Sequence, residues 1–360
     1  MVFAGPSGYN CYAPEGLLNI RERMMNLQRK TLLVCLVCAA AFFGILSPLY
    51  AGETGKDSLY VSPEWLKENR DKVVLIDARP KSLYDKGHIP GAVNAEWTYF
   101  ANMKGQPGTP GWGDIYPRET LAKRIGALGV NGKKPVVVYC DPGGWGQDGW
   151  IVWILRLSGI TDARMLEGGF SAWRAAGGEV STTPKKPKAV AFSIQSFQGG
   201  YNVTTPWLRE KLDEVVVIDA RTPFEYQGAR IFQEKRGGHI PGAINIPFDS
   251  VFLEDQTLKE PEELRKFFGR YGLSVNDEII VYDTAGVRSA YLVMVLRMAG
   301  FEKARNYDSA FQEWAGNMEL NVIEGDKPGK PAPKAVEPPD DTGGTSGGKT
   351  APESSGESTS

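Results

Sequence analysis

Val73-Val74-Leu75-Ile76-Asp77-Ala78-Arg79 returns further along the chain as Val215-Val216-Val217-Ile218-Asp219-Ala220-Arg221. An apolar, β-branched run closed by a charged turn reads as a buried strand, and its recurrence reads as a repeat. Working outward, Gly87-His88-Ile89-Pro90-Gly91-Ala92-Val93-Asn94 is answered by Gly238-His239-Ile240-Pro241-Gly242-Ala243-Ile244-Asn245. Pro135-Val136-Val137-Val138-Tyr139 is answered by Glu278-Ile279-Ile280-Val281-Tyr282, and Ile154-Leu155-Arg156-Leu157-Ser158-Gly159 by Val295-Leu296-Arg297-Met298-Ala299-Gly300. Matched blocks in one order mean two copies of a single domain.

Each copy alternates short apolar runs with segments of helical period, which implies strands joined by crossover helices in a parallel sheet. In the first copy the pattern predicts strands near 73–77, 135–140 and 163–166, with helices over 63–69, 119–128, 148–158 and 170–176. The second copy predicts helices over 206–212, 261–271 and 288–298. The expected organisation is an N-terminal extension with a signal over 1–51, a first domain over 57–180, a linker over 181–190 and a second domain over 191–323. A disordered tail follows over 324–360, because that stretch turns to Pro, Gly, Ser, Thr and Asp.

At 360 residues and 42% hydrophobic content the chain can bury two ordinary cores. Its 41 basic and 43 acidic residues nearly cancel, so no nucleic-acid partner is expected. Residues 31–51 carry no charge, follow Arg29-Lys30 and end in Leu49-Tyr50-Ala51, which is the layout of a secretory signal cleaved after Ala51. Export, to a periplasm or similar compartment, is therefore expected. The same run reaches the roughly 20 residues that span a bilayer, so a membrane anchor remains if it is not cleaved. Met24 and Met25 offer alternative starts, and Val before both Cys35 and Cys38 argues against a lipoprotein site.

Of the cysteines Cys11, Cys35, Cys38 and Cys140, only Cys140 survives removal of the signal. A lone thiol in an oxidising compartment is either an inert packed side chain or a nucleophile. Its neighbourhood favours the nucleophile: Cys140 ends the apolar run 136–139 and is followed by Asp141-Pro142-Gly143-Gly144-Trp145-Gly146 and a helical segment. Loop amides of 141–146 and the helix N-terminus should lower the thiol pKa and stabilise a thiolate or persulfide.

Together with Leu166-Glu167-Gly168-Gly169-Phe170-Ser171-Ala172-Trp173, these motifs resemble the tandem rhodanese-like sulfurtransferases of the thiosulfate and 3-mercaptopyruvate type. The resemblance runs from about Ser58 to Asn317. It implies an α/β fold of two tandem domains, each a central parallel sheet flanked by helices, and a cysteine that takes a sulfane sulfur as a persulfide and passes it on. Partners would be a small sulfur donor (thiosulfate, 3-mercaptopyruvate or a persulfide) and a thiol or cyanide-like acceptor, with a protein acceptor possible and no cofactor. Arg79 and Arg221 read either as internal salt-bridge partners of nearby acids or, as the same family implies for the Arg of the Asp-Ala-Arg motif, as reaching the active cleft, where Arg79 would supply the charge that the loop lacks.

Departures from the family pattern shape the expectation. The tandem enzymes usually keep their cysteine in the second domain, where this chain has Asp283; that copy should be non-catalytic. Counted back from Leu-Arg-x-x-Gly, the Cys140 loop is about two residues longer than its counterpart, and no Arg or Lys precedes Arg156 in it. Phosphatases and arsenate reductases of this fold use Cys-x5-Arg to fork an oxyanion, but the corresponding residue here is Gly146, with Asp141 and Asp148 nearby. A dianion should be repelled. The expected site is Cys140 as nucleophile with Arg79, Asp141, Gly143, Gly144, Trp145 and Gly146 around the substrate. His88 and His239 occupy one repeated turn and read as structural. Trp150 and Trp153 are packing or pocket residues, and no metal-ligand or phosphate-loop spacing is present. The competing class is a non-enzymatic sulfur-carrier or binding module.

Overall fold

The computed structural model describes residues 55–329. The expected signal and most of the expected tail lie outside them. Strands β1 (Tyr60–Val61), β2 (Val74–Asp77), β3 (Val93–Asn94), β4 (Val136–Tyr139) and β5 (Ala163–Leu166) form one sheet in the order β1-β5-β4-β2-β3. β6 (Asn202–Val203), β7 (Val216–Asp219), β8 (Ile244–Asn245), β9 (Ile279–Tyr282) and β10 (Ala304–Tyr307) repeat it as β6-β10-β9-β7-β8. All pairings are parallel, so both halves are α/β as the repeat implied. The central strands β4 and β9 are buried at every position, the continuous apolar character of a strand covered on both faces.

The helices are α1 (Pro63–Asn69), α2 (Lys81–Lys86), α3 (Arg118–Ala127), α4 (Gln147–Leu157) and α5 (Gly169–Ala175) in the first half. The second half has α6 (Thr205–Lys211), α7 (Pro223–Gln227), α8 (Pro261–Gly269), α9 (Val287–Met298) and α10 (Ala310–Gly316). Local chemistry explains the sharper starts. Ser62 accepts from Trp65 N at 3.1 Å, and Pro63 fills the first turn, where its missing N–H costs nothing. Thr222 and Glu225 close a reciprocal capping box around α7.

The two halves share one apolar core. Trp150, Ile151, Val152, Trp153, Ile154 and Leu155 are all fully buried, because α4 packs its free side against α9 of the other half. A helix apolar all round must be covered all round. The close approach needs glycine: a Cβ on Gly149 would lie 2.3 Å from Tyr291 Cδ2. Tyr60 and Tyr291 hydroxyls bond across the junction, and Ile115 N donates to Asp308 Oδ2 at 2.9 Å.

The 181–190 linker is held at both ends: Ser181 pairs with His88 in an antiparallel bridge and Val190 N donates to Gly126 O. One expectation about the connecting chain needs correction. The tail does not begin at 324: Gly325 N donates to Gln227 O, and Gly242 N donates to Pro328 O. Backbone groups left open at the edge of each domain take these segments as partners, which sequence polarity alone does not reveal.

Candidate active site

Cys140 directly follows β4. The β2 and β4 registers end together at Asp77 and Tyr139, so its side chain leaves the sheet at the carboxyl ends of the strands, where open α/β sheets place their ligands. The residue is 6% exposed and opens onto a cleft of about 520 Å³ between the two halves. Loop 141–146 forms one wall; Thr222, Glu225, Phe232, Phe248, Phe252, Arg288 and Tyr291 of the second half form the other.

Glycines shape the loop. Gly143 and Gly146 hold φ of 77° and 75°, a left-handed backbone that other residues rarely adopt. A Cβ on Gly144 would lie 2.9 Å from Gln147 Oε1, the oxygen that faces the Cys140 sulfur, so glycine leaves that side chain its place. Gly169 is tighter still: its Cβ would fall 1.8 Å from Cys140 O, the carbonyl that accepts from Phe170 N at 3.0 Å.

The sulfur does not meet the field expected of it. Cys140 Sγ donates to Gln147 Oε1 at 3.7 Å, and that same oxygen accepts from Trp145 N at 2.8 Å. Burial pushes the thiol well above its ordinary pKa, the Asp148 charge adds to this, and the Asp141 backbone N–H pulls down without offsetting them. The expected lowering is therefore corrected to a rise. Asp148 is itself pushed up to about 6 by the packing around it, and its Oδ1 accepts from Gly149 N at 2.9 Å.

Arg79 is a second correction. It is buried, ion-paired to Asp77 at 2.7 Å, bonded to Gly87 O at 2.8 Å and stacked 3.9 Å over Phe170, and it is absent from the cleft wall. Only Nη1 approaches Asp141, at 3.4 Å. Arg221 repeats the arrangement with Asp219, Gly238 O and Phe311 in the half without a cysteine. Both arginines brace the strand end.

Each histidine also repeats its twin. His88 lies between Tyr84 O (2.8 Å) and Thr183 O (3.1 Å), and His239 between Tyr226 O (2.9 Å) and Lys327 O (3.1 Å). Trp145 is half-exposed at the cleft rim, edge-on to Phe232, whereas Trp150 and Trp153 are core. Asp141, Gly143, Gly144, Trp145 and Gly146 line the cleft.

At the end of β9, Asp283 stands where Cys140 stands in the first half. It accepts from Arg288 Nε at 3.1 Å and Ser289 Oγ at 3.0 Å, while Arg288 also forks onto Glu225 at 2.8 and 2.9 Å. Although burial acts upward, these bonds hold the Glu225 carboxyl down to about 2. Six positions separate Cys140 from the helix-capping Gly146, and three separate Asp283 from Gly286. Up to the helix cap the loop is longer by three residues, and α4 is one residue shorter than α9, so the net insertion counted back from Leu-Arg-x-x-Gly is two.

That the second half's loop shapes the cleft was open to sequence reasoning, but it did not single out Arg288, Glu225, Tyr291 and the Phe residues as its lining. It also missed Lys56, which is clamped between Glu167 (2.6 Å) and Glu260 (2.8 Å). Arg288 alone carried a signal, lying in the loop that answers the Cys140 loop. Among the described residues no group of three or more His, Cys, Asp or Glu is arranged to hold a metal ion.

The chain matches the rhodanese-like domain family twice, over 62–176 and 204–317. It is 31% identical over 279 residues to a thiosulfate sulfurtransferase of Corynebacterium glutamicum, covering 73% of this chain and 89% of the relative. It is 29% identical over 283 residues to the sulfur carrier protein TtuD of Thermus thermophilus, covering 74% of this chain and 97% of that one. The fold also matches wild-type EanB with a TM-score of 0.67, at 21% identity and covering 77% of this chain and 71% of that one.

Proposed function

The chain belongs to the rhodanese-like domain family, and from that premise we propose that it is a sulfurtransferase working through Cys140. The Cys140 sulfur, as thiolate, attacks the donor's transferable sulfur, the bond holding that sulfur to the donor breaks, and its electron pair leaves with the remainder (sulfite from thiosulfate, the enolate of pyruvate from 3-mercaptopyruvate), giving a persulfide; an acceptor thiolate then attacks the outer sulfur and the S–S electron pair returns to Cys140. The observation that carries this reading is that Cys140, the one cysteine among the described residues, forms the floor of the interdomain cleft. The names of the relatives in Corynebacterium glutamicum and Thermus thermophilus support sulfur transfer or sulfur carriage. Donors and acceptors are small molecules or a thiol-bearing protein, and Asp283 makes the second half a wall of the site.

Mass spectrometry of the Cys140 peptide, after incubation with thiosulfate, 3-mercaptopyruvate or polysulfide, should show one added sulfur. Its absence with every donor would overturn the reading. The raised thiol pKa favours a second possibility, slow carriage without rapid turnover, in which loading occurs but acceptors do not accelerate discharge.

Export belongs to the same proposal, resting on Arg29-Lys30 and the uncharged run to Ala51. Fractionation with N-terminal sequencing should place the mature chain outside the cytoplasm, starting near Gly52. A full-length cytoplasmic chain from Met1 would contradict it.

A further inference from the structure

Resting on that reading, we propose that the cleft selects cationic, amine-bearing thiols as sulfur acceptors, takes uncharged thiols less well and turns anionic ones away. The cavity over Cys140 has five carboxylates on its wall against two cations, Lys56 and Arg288. Both cations are already spanned by acids: Lys56 by Glu167 and Glu260, Arg288 by Glu225 and Asp283. Asp141, Asp148 and Asp249 remain. Asp141 accepts from Ser171 Oγ at 3.3 Å and meets a cation at 3.4 Å in Arg79, whose charge is engaged by Asp77; among the described residues Asp148 and Asp249 form no ion pair.

The imbalance is built into the repeat. Asp148 and Arg288 are each the second residue of the helix that follows its loop, so the half with the nucleophile has a carboxylate where the other half has a guanidinium. Aromatic rings form part of the remaining wall, beside aliphatic side chains such as Ile231 and Leu253. Trp145, Phe232, Phe248 and Phe252 line it, and ring faces attract an ammonium while offering nothing to a carboxylate or sulfonate. A low-dielectric cleft lined by one sign of charge concentrates ligands of the other.

The chemistry gains from the same match. In the step Cys140–S–SH + R–SH → Cys140–SH + R–S–SH, the acceptor's thiolate bonds to the outer sulfur, the S–S bond breaks onto Sγ, and Sγ takes the acceptor's proton. An ammonium beside Asp141 and Asp148 offsets the charges that disfavour electron density on Sγ as it leaves.

The test uses the full-length protein with peptide-level mass spectrometry at Cys140. Methanethiosulfonates bearing ethylammonium, methyl or ethylsulfonate groups are compared, each rate divided by that with free 2-mercaptoethanol. The ammonium reagent should react roughly tenfold faster than the sulfonate at low salt, and the ratio should shrink at high salt. Asp249→Asn should narrow it. In the second arm, protein fully loaded by polysulfide is discharged with cysteamine, 2-mercaptoethanol or 3-mercaptopropionate, each rate normalised to a free persulfide, and should rank them in that order. A reagent ratio at or below one, or a flat or reversed acceptor order on loaded protein, overturns the proposal. If nothing loads, the sulfurtransferase reading fails, and the reagent ratio still decides the charge preference.

Discussion

Asp148 and Arg288 are counterparts placed with opposite charge: each is the second residue of the helix after its loop, one beside a thiol and the other bonded to a carboxylate. In the second half Arg288 lies between two carboxylates, Asp283 and Glu225. In the first half the neighbour's charge opposes ionisation of Cys140, so the two repeats hold inverse electrostatics at the ends of β4 and β9.

Neutralising that neighbour should make the thiol more acidic. Alkylation of Cys140 by uncharged iodoacetamide should keep climbing past about pH 9 in the wild type, the ordinary thiol range, and the Asp148→Asn curve should sit at lower pH. Below about pH 6 Asp148 is itself protonated, so the two curves should converge there on a common pH dependence. A variant curve displaced to higher pH would refute the assignment.

Cys140→Ser should abolish sulfur loading and transfer to cyanide, since no other described residue is a thiol. Asp283→Ala should retain loading. It should cost about 1–3 kcal/mol of stability, because Arg288 and Ser289 lose a buried acceptor. Urea denaturation followed alongside loading separates the two effects.

Gly149→Ala should weaken the union of the halves by about 1–3 kcal/mol, the range for overpacking, because the new methyl meets the Tyr291 ring at 2.3 Å. Thermal unfolding should show a lower midpoint or two separated transitions. An unchanged single transition would mean that α4 and α9 slide apart freely.

Thiosulfate, a dianion, should show lower kcat/KM than a donor with less charge at its transferred sulfur. The structure indicates where a cation could be released. Gln147 is engaged by Cys140 and Trp145, so an Arg placed there would forfeit those bonds. Glu225→Gln instead removes one of the two charges holding Arg288 and should narrow the difference. Steady-state kinetics across ionic strength decide it: thiosulfate as preferred donor, with rates falling as salt rises, would mean a positive field in the cleft.

What the sequence disclosed follows from which signals are local. α1 was legible from Ser62 and Pro63, and β4 and β9 from their β-branched runs. The two-residue strands β1, β3, β6 and β8 were not, because they are too short to show a period and exist by pairing with distant partners. Cys140 was identifiable from its place between strand and glycine loop. Its thiol field was not, since burial comes from the core that both halves build around Cys140, and the Asp148 charge adds to it. Arg79 shows the reverse: its motif was plain and allowed two roles, and the matched burial of Arg221 favours the salt bridge within the frame.

The paired histidine contacts have a consequence for anyone trimming this protein. His239 reaches Lys327 O and Gly242 N reaches Pro328 O, just as His88 reaches Thr183 O, so each half is fastened by the chain leaving it. A version ending at residue 323 would unhook that clasp, stranding one imidazole nitrogen and one backbone N–H at the domain's edge. The working C-terminal boundary of the second half is thus Pro328 or beyond, several residues into a stretch whose composition advertises only a loose end.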